Sequence, residues 1–332
     1  MAQDLASKPD NDWQDLMFGP ALMQNYALSV KGGGKYSTYY NSVGYTNQDG
    51  VMKGTNYQRY TLQSKQDFKK GIFQAGTNVV LTYDQSNPLY SVIRGGMVGH
   101  TLQAIPTWEQ YDENRTGGYG GLYGDVVNLT HPLGMVDDNL MKRYSDNVKI
   151  FANAYVSVEL MKGLKYKLNL TPDFQFYRYN SYEGLFDFGL AKHDITAVTE
   201  QQTRTRNILV ENLLTFDRTF GDHKVSALVG YTYQDSRYRY MQGSGQGMPT
   251  GITEIDAASQ GLAVSGNSSR SVLTSILGRA FYSYKNRYLL TATIRRDGSS
   301  KFGANHKWGW FPSVSAAWGI SQEAFMQDIS WL

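Results

Sequence analysis

Hydrophobic and polar positions alternate with a period of two along several stretches of the chain. From Val148 onward the even positions Val148, Ile150, Ala152, Ala154, Val156 and Val158 are apolar, whereas Lys149, Asn153, Ser157 and Glu159 occupy odd ones. Leu164, Tyr166, Leu168 and Leu170 repeat the pattern against Lys165, Lys167, Asn169 and Thr171; residues 225–233 and 288–294 do so again. Successive side chains of a strand point to opposite faces, so each stretch predicts a strand with one apolar and one polar face. Read this way, the whole chain predicts about eleven strands, near residues 24–31, 36–47, 57–68, 72–83, 147–160, 164–177, 205–218, 223–236, 271–284, 287–297 and 310–319.

Alternation is common to soluble sandwiches and membrane barrels, and the connections separate the two. Short links at 32–35, 68–71, 160–163, 220–223 and 284–287 take turns with longer polar segments at 47–56, 84–147, 178–204, 236–270 and 296–310. Tight turns at one rim and long loops at the other are how an outer-membrane barrel is built. Aromatic residues gather at both ends: Tyr282, Tyr284 and Tyr288 beside a short turn, and Phe174, Phe176, Tyr231 and Tyr233 toward long loops. The ring of tyrosine suits the headgroup region, so these positions predict two interfacial girdles. The expected fold is therefore all-β, an antiparallel transmembrane barrel with short periplasmic turns and long extracellular loops. A soluble carbohydrate-binding β-module is the alternative; it would leave the stripe from Val148 to Val158 bare in water unless a second sheet covered it. Single-chain bacterial barrels have even strand numbers, so an odd count with unclosed ends predicts part of a larger barrel.

Composition narrows the function. Charged residues make up 18% of the 332 positions, below the roughly 25% of a soluble domain. The net charge of +3 gives no reason to expect a nucleic-acid partner. Cysteine is absent and the five histidines are scattered, so no metal site and no cofactor are expected. No nucleophile, base and orienting group stand in a catalytic pattern, which argues against an enzyme. The stretch "KGGGK" at 31–35 lacks the spacing of a phosphate loop and reads as a turn. The N-terminus does not read as a secretory leader, so a barrel would need an export signal from outside this sequence.

Several stretches carry a family resemblance: "NDWQDLMF" at 11–18, "MQNYALSVKGG" at 23–33, "GYTNQDGVMKGTNYQRY" at 44–60, "TFGDHKVSALVGY" at 219–231, and above all "YSYKNRYLLTATIRRDGSSKFG" with "WGWFPSVSAAWGIS". In this order they resemble the SusC/RagA family of TonB-linked transporters of the Gram-negative outer membrane. The resemblance implies a barrel of about 22 strands around an N-terminal plug. It also implies a SusD-like surface lipoprotein as partner, oligosaccharide or peptide as substrate, contact with outer-membrane lipid, and energy from TonB. On that basis residues 1–23 are expected to lead into the barrel after a plug, and residues 24–332 to form roughly its first half, with a long extracellular loop at 84–147.

Two groups of residues are candidates for function. Trp108, Tyr111, Tyr119 and Tyr123 lie among glycines in the long loop, where rings could stack on sugar faces or apolar peptide side chains. The family motif Arg295, Arg296, Asp297, Gly298, Ser299, Ser300, Phe302 and Gly303 reads mainly as structural. Arg295, Arg296 and Asp297 are expected to form an ion-paired network bracing a loop base, with the chain leaving its strand from Arg296 and turning at Asp297 and Gly298.

Overall fold

The computed structural model describes residues 7–89, 96–123 and 129–326. Residues 1–6 of the expected lead-in, 90–95 and 124–128 of the expected loop, and 327–332 of the expected barrel lie outside the described residues.

One antiparallel sheet dominates the molecule. Its strands are β1 (Met23–Gly33), β2 (Ser37–Asp49), β3 (Asn56–Lys70), β4 (Phe73–Ser86), β5 (Met141–Met161), β6 (Leu164–Glu183), β9 (Ala197–Phe220), β10 (His223–Gln246), β11 (Gln260–Tyr284), β12 (Tyr288–Ser299) and β13 (Trp308–Trp318). They pair strictly in chain order. A separate hairpin of β7 (Phe186–Asp187) and β8 (Lys192–His193) lies in the connection between β6 and β9, and two helices, α1 (Trp13–Met17) and α2 (Gly96–Gln103), belong to the long-loop end. The eleven strands of the sheet agree with the sequence expectation. Among the described residues β1 pairs only with β2, and β13 only with β12, so the sheet is open at both edges.

Turn chemistry closes the short links. Between β11 and β12, Lys285 and Asn286 adopt φ of 53° and 55°, the left-handed pair that matches the twist of the flanking strands. Between β9 and β10 the same need falls on Gly221, at φ 55°.

Cross-strand register carries the apolar face from strand to strand. Leu28, Val43, Leu62, Leu81 and Ile150 are paired in one continuous row across β1 to β5. Leu214, Val229, Gly278, Ile294 and Pro312 form another across β9 to β13. These side chains stay open, with Leu28 73% and Val229 58% exposed. A broad bare apolar surface of this kind belongs against hydrocarbon, where all backbone polar groups are met by neighbouring strands.

Aromatic rows bound the band. On the short-turn side Phe220, His223, Tyr284, Tyr288 and Trp318 are paired in sequence, with ring centroids 4.9 Å, 6.2 Å and 6.3 Å apart from His223 to Trp318. On the long-loop side Tyr26, Tyr45, Tyr60 and Tyr83 form a second row, with centroids 6.4 Å, 4.9 Å and 6.3 Å apart. The opposite face is polar and hydrogen-bonded. Asn153 Nδ2 donates to Asn169 Oδ1 at 2.8 Å, Asn169 Nδ2 donates to Glu211 Oε2 at 2.8 Å, and Tyr155 donates to Asp67 at 2.8 Å.

The structure corrects the strand lengths. β9 and β10 each run for 24 residues and β11 for 25, more than twice the roughly 9–11 that cross a bilayer. Their outer parts, such as the stretch 236–246, carry no regular apolar face, although Met241 of β10 and Leu262 and Val264 of β11 are apolar and exposed. Outside the hydrocarbon neither face must be apolar, so the period-two signal fades while backbone pairing continues. The expected loops 178–204 and 236–270 shrink to the connections 184–196 and 247–259 accordingly.

Candidate functional site at the loop end of the barrel wall

β1 runs from the long-loop end toward a short turn, which puts the residues before it among the loops. Asn11 N–H donates to Pro106 O at 2.9 Å and Trp13 Nε1 to Ile105 O at 2.9 Å. The segment 11–18, within the expected lead-in, is thus packed into the loop assembly. Asp12 caps α1, its carboxylate accepting from the backbone N–H of Gln14 and Asp15 at 2.9 Å and 3.1 Å.

Burial of apolar side chains explains why this assembly holds together. Trp13, Met17, Met52, Met97, Trp108, Leu122, Leu133, Met135, Leu140, Met141, Phe186 and Phe188 form one core, drawn from α1, α2, three connections and the start of β5. His131 sits inside it, wholly buried, edge-on to Trp13 at 5.1 Å and beside Tyr119 and Phe188 at 5.2 Å and 5.6 Å. Gly134 N–H donates to His131 Nδ1 at 3.3 Å, so Nε2 carries the proton and donates to Glu109 O at 3.1 Å. Burial pushes the imidazole pKa down to about 4, the Glu109 carbonyl opposing this only partly, and the ring is neutral. Tyr119 donates to Asp137 at 2.8 Å, and burial followed by that carboxylate raises its phenol pKa.

The four aromatic candidates separate into two kinds. Trp108 is 0% exposed and donates from Nε1 to Tyr123 O at 3.1 Å, so it anchors the loop from within and offers no stacking face. Tyr119 is half-buried against His131. Tyr111 is 60% exposed and Tyr123 41% exposed, the first leaning on Tyr119 at 5.4 Å and the second donating to Thr107 Oγ1 at 2.8 Å. Buried aromatics thereby hold two open tyrosines in place on the loop surface. His131, Trp13 and Phe188, which organise this arrangement, stand far apart in sequence with no spacing signal.

The motif beginning at Arg295 splits across the sheet. Arg295 Nε donates to Asp297 Oδ1 at 2.7 Å and Nη2 to Ser275 Oγ at 3.1 Å, a network on the polar face. Arg296 does not join it. Paired with Ile276 and Trp310, it lies on the apolar face with its guanidinium 4.7 Å from the Trp308 ring centroid and 5.2 Å from that of Trp310. Asp297 and Gly298 also differ from expectation, for both remain in β12 and make no turn. A Cβ on Gly298 would stand 2.8 Å from the Trp308 ring, so glycine is required here for close approach of that ring. Ser299 ends the strand and Ser300 Oγ accepts from Val272 N–H at 2.8 Å. Phe302 and Gly303 lie exposed in the connection beyond it.

Among the described residues no group of three or more His, Asp or Glu side chains is placed to hold a metal ion. The arrangement combines an outward apolar wall, a polar inner face and a loop assembly packed around buried aromatic side chains.

This is the architecture of a TonB-dependent receptor barrel. No family model matches the chain. Sequence similarity nevertheless runs along nearly all of it: TonB-dependent receptor P3 of Formosa agariphila is 30% identical over 338 residues, covering 96% of this chain and 32% of that protein. SusC of Bacteroides thetaiotaomicron, a TonB-dependent receptor, is 26% identical over 351 residues, covering 97% and 34%. The RagAB peptide transporter shares the fold, with a TM-score of 0.82 and 19% identity over 96% of this chain and 36% of that one. The chain thus spans about a third of the length of the curated relatives it matches. Its similarity runs to TonB-dependent receptors, SusC among them, and its fold is that of the RagAB transporter.

Proposed function

We propose that the protein to which this chain contributes imports oligosaccharide or peptide across the outer membrane, with a SusD-like lipoprotein partner at the surface and TonB supplying the energy. The sheet strands from Met23 to Trp318 form the barrel wall, and the described segments 96–123 and 129–140 of the β4–β5 connection a substrate-facing surface. Tyr111 and Tyr123 offer exposed rings to the cargo; Trp108 and Tyr119 hold them. The Arg295 to Gly303 segment maintains the outer end of the wall. The observation that carries this reading is likeness to TonB-dependent receptors over 96–97% of the chain, on a sheet whose outer face is built for lipid.

The test uses the full-length protein in its host outer membrane. Uptake of labelled oligosaccharide and labelled peptide is measured with and without TonB, and with Tyr111→Ala/Tyr123→Ala. TonB-dependent uptake of one cargo, weakened about tenfold by the double variant, is expected. Uptake of neither cargo, or uptake indifferent to TonB, would show the proposal to be wrong.

A further inference from the structure

Beyond Tyr231 and Tyr233 on β10, the lipid-facing side of β9, β10 and β11 changes character. Register continues the apolar row of Leu62, Leu81, Ile150 and Phe174 directly into Arg206, Arg237 and Arg270. The next row outward continues Val148 and Phe176 into Arg204 and Arg239. Five guanidiniums therefore share the face that elsewhere carries leucine and valine.

One carboxylate lies among them. Asp235 meets Arg270 at 2.9 Å, Arg237 at 3.1 Å and Arg206 at 4.0 Å, and its side chain is only 8% exposed while those of the arginines are 43–53% exposed. Arg206 Nε is buried without a hydrogen-bond partner, and among the described residues no carboxylate lies within ion-pair distance of Arg204 or Arg239. The cluster keeps a strong surplus of positive charge. It lines an open groove of about 970 Å³ that also includes Phe174 and Phe176. The rings of Phe174 and Phe176 on β6 flank the guanidiniums of their register partners Arg206 and Arg204 on β9, so the groove offers apolar and cationic surface side by side, the two chemistries an anionic lipid combines.

Unpaired arginines facing hydrocarbon are costly, whereas at the headgroup level they attract phosphate and bind it bidentately. We propose that this groove binds a phosphate-bearing headgroup of an outer-leaflet lipid, held by Arg204, Arg206 and Arg239, with Asp235 orienting Arg237 and Arg270 beside it and Phe174 and Phe176 against the upper acyl chains. A bound lipid of this kind fixes the barrel's height and rotation in the outer leaflet.

The experiment takes the full-length protein, delipidated in mild detergent, and titrates it with vesicles containing bisphosphorylated lipid A, the same lipid dephosphorylated, or inorganic phosphate alone. The protein is expected to bind the bisphosphorylated lipid about 100-fold more tightly than the dephosphorylated one, and inorganic phosphate at matched phosphate concentration is expected not to compete. Arg204→Gln/Arg206→Gln/Arg239→Gln is expected to lose that preference while the corresponding Lys variant retains most of it. Single Arg239→Gln, at an exposed position without an ion pair, gives a folded variant with an intermediate loss; unchanged heat-modifiable mobility on gels verifies folding. Equal affinity of wild type and the Gln variants for the phosphorylated lipid overturns the proposal, as does competition by inorganic phosphate alone. Loss of a co-purifying protein partner with lipid binding intact overturns it in favour of a protein interface.

Discussion

The bilayer-crossing part of the sheet and the loop-end core are held together in opposite ways. In the sheet every strand leans on its sequence neighbour, and apolar side chains point away from the protein into lipid. Val229 and Leu28 are well exposed there, although each belongs to a continuous apolar row. In the loop assembly apolar side chains from distant segments turn inward on one another, and Trp108, Phe188 and His131 are fully buried. The membrane solvates the first region, so its stability rests on backbone pairing and an apolar exterior. Water solvates the second, so its stability rests on close packing.

Substitutions at matched apolar positions test that contrast. The largest effect is expected for Trp108→Ala, which empties the loop core and costs the assembly about 3–5 kcal/mol. Limited proteolysis should then cut within the 87–140 connection while the barrel keeps its heat-modifiable mobility; an uncut connection would count against an independent loop core. Val229→Arg should reverse the pattern, costing the sheet about 2–4 kcal/mol through a charge in hydrocarbon and leaving the loops intact. Refolding in lipid against urea measures this, with Glu211→Gln on the polar face as a control expected to cost less than about 1 kcal/mol.

Acid provides a third test, specific to the loop end. With its pKa lowered to about 4, His131 stays neutral in the folded assembly while an unfolded chain takes up a proton near its ordinary value of about 6.5. Unfolded loop segments thus bind more protons between these values, and stability falls as pH falls from about 6.5 to about 4, by about 3 kcal/mol in total. Loop amide protection factors, which allow for the slower intrinsic exchange in acid, should fall across this window, and His131→Gln should flatten the response. The smallest change is expected for Asp12→Ala, which removes the cap of α1 and costs about 1 kcal/mol. Faster exchange confined to the first turn of α1 is the readout; no change there would mean packing of Trp13 and Met17 alone holds the helix.

Much of the wall was legible because bilayer solvation writes a local rule into the chain. Val148, Ile150 and Val156 announce their face through positions two apart, and the tight turns announce the rim. Where the rule lapses, so did the reading. The outer halves of β9, β10 and β11 stand clear of hydrocarbon and carry no sustained apolar alternation, only scattered residues such as Met241, Leu262 and Val264, which left their length unmarked. Gly298 resembles a turn residue until Trp308, a cross-strand neighbour, shows why a side chain is excluded. Arg296 stands beside Arg295 and Asp297 in sequence, yet the pleat sends it to the opposite face.

The chain by itself determined the class of fold, the number of strands in the sheet, the parity of turns and loops, and the outward band, since each follows from neighbours along the sequence and from the solvent they face. Tertiary structure alone decided that Trp108 is an internal anchor while Tyr111 and Tyr123 face outward, that His131 is neutral at the centre of a core, and that five arginines from three strands meet at one place on the lipid-facing side. Those outcomes depend on which distant segments come into contact and in what register. Contacts of that kind lower the free energy only once the chain has folded, and they leave no periodic trace in the order of residues.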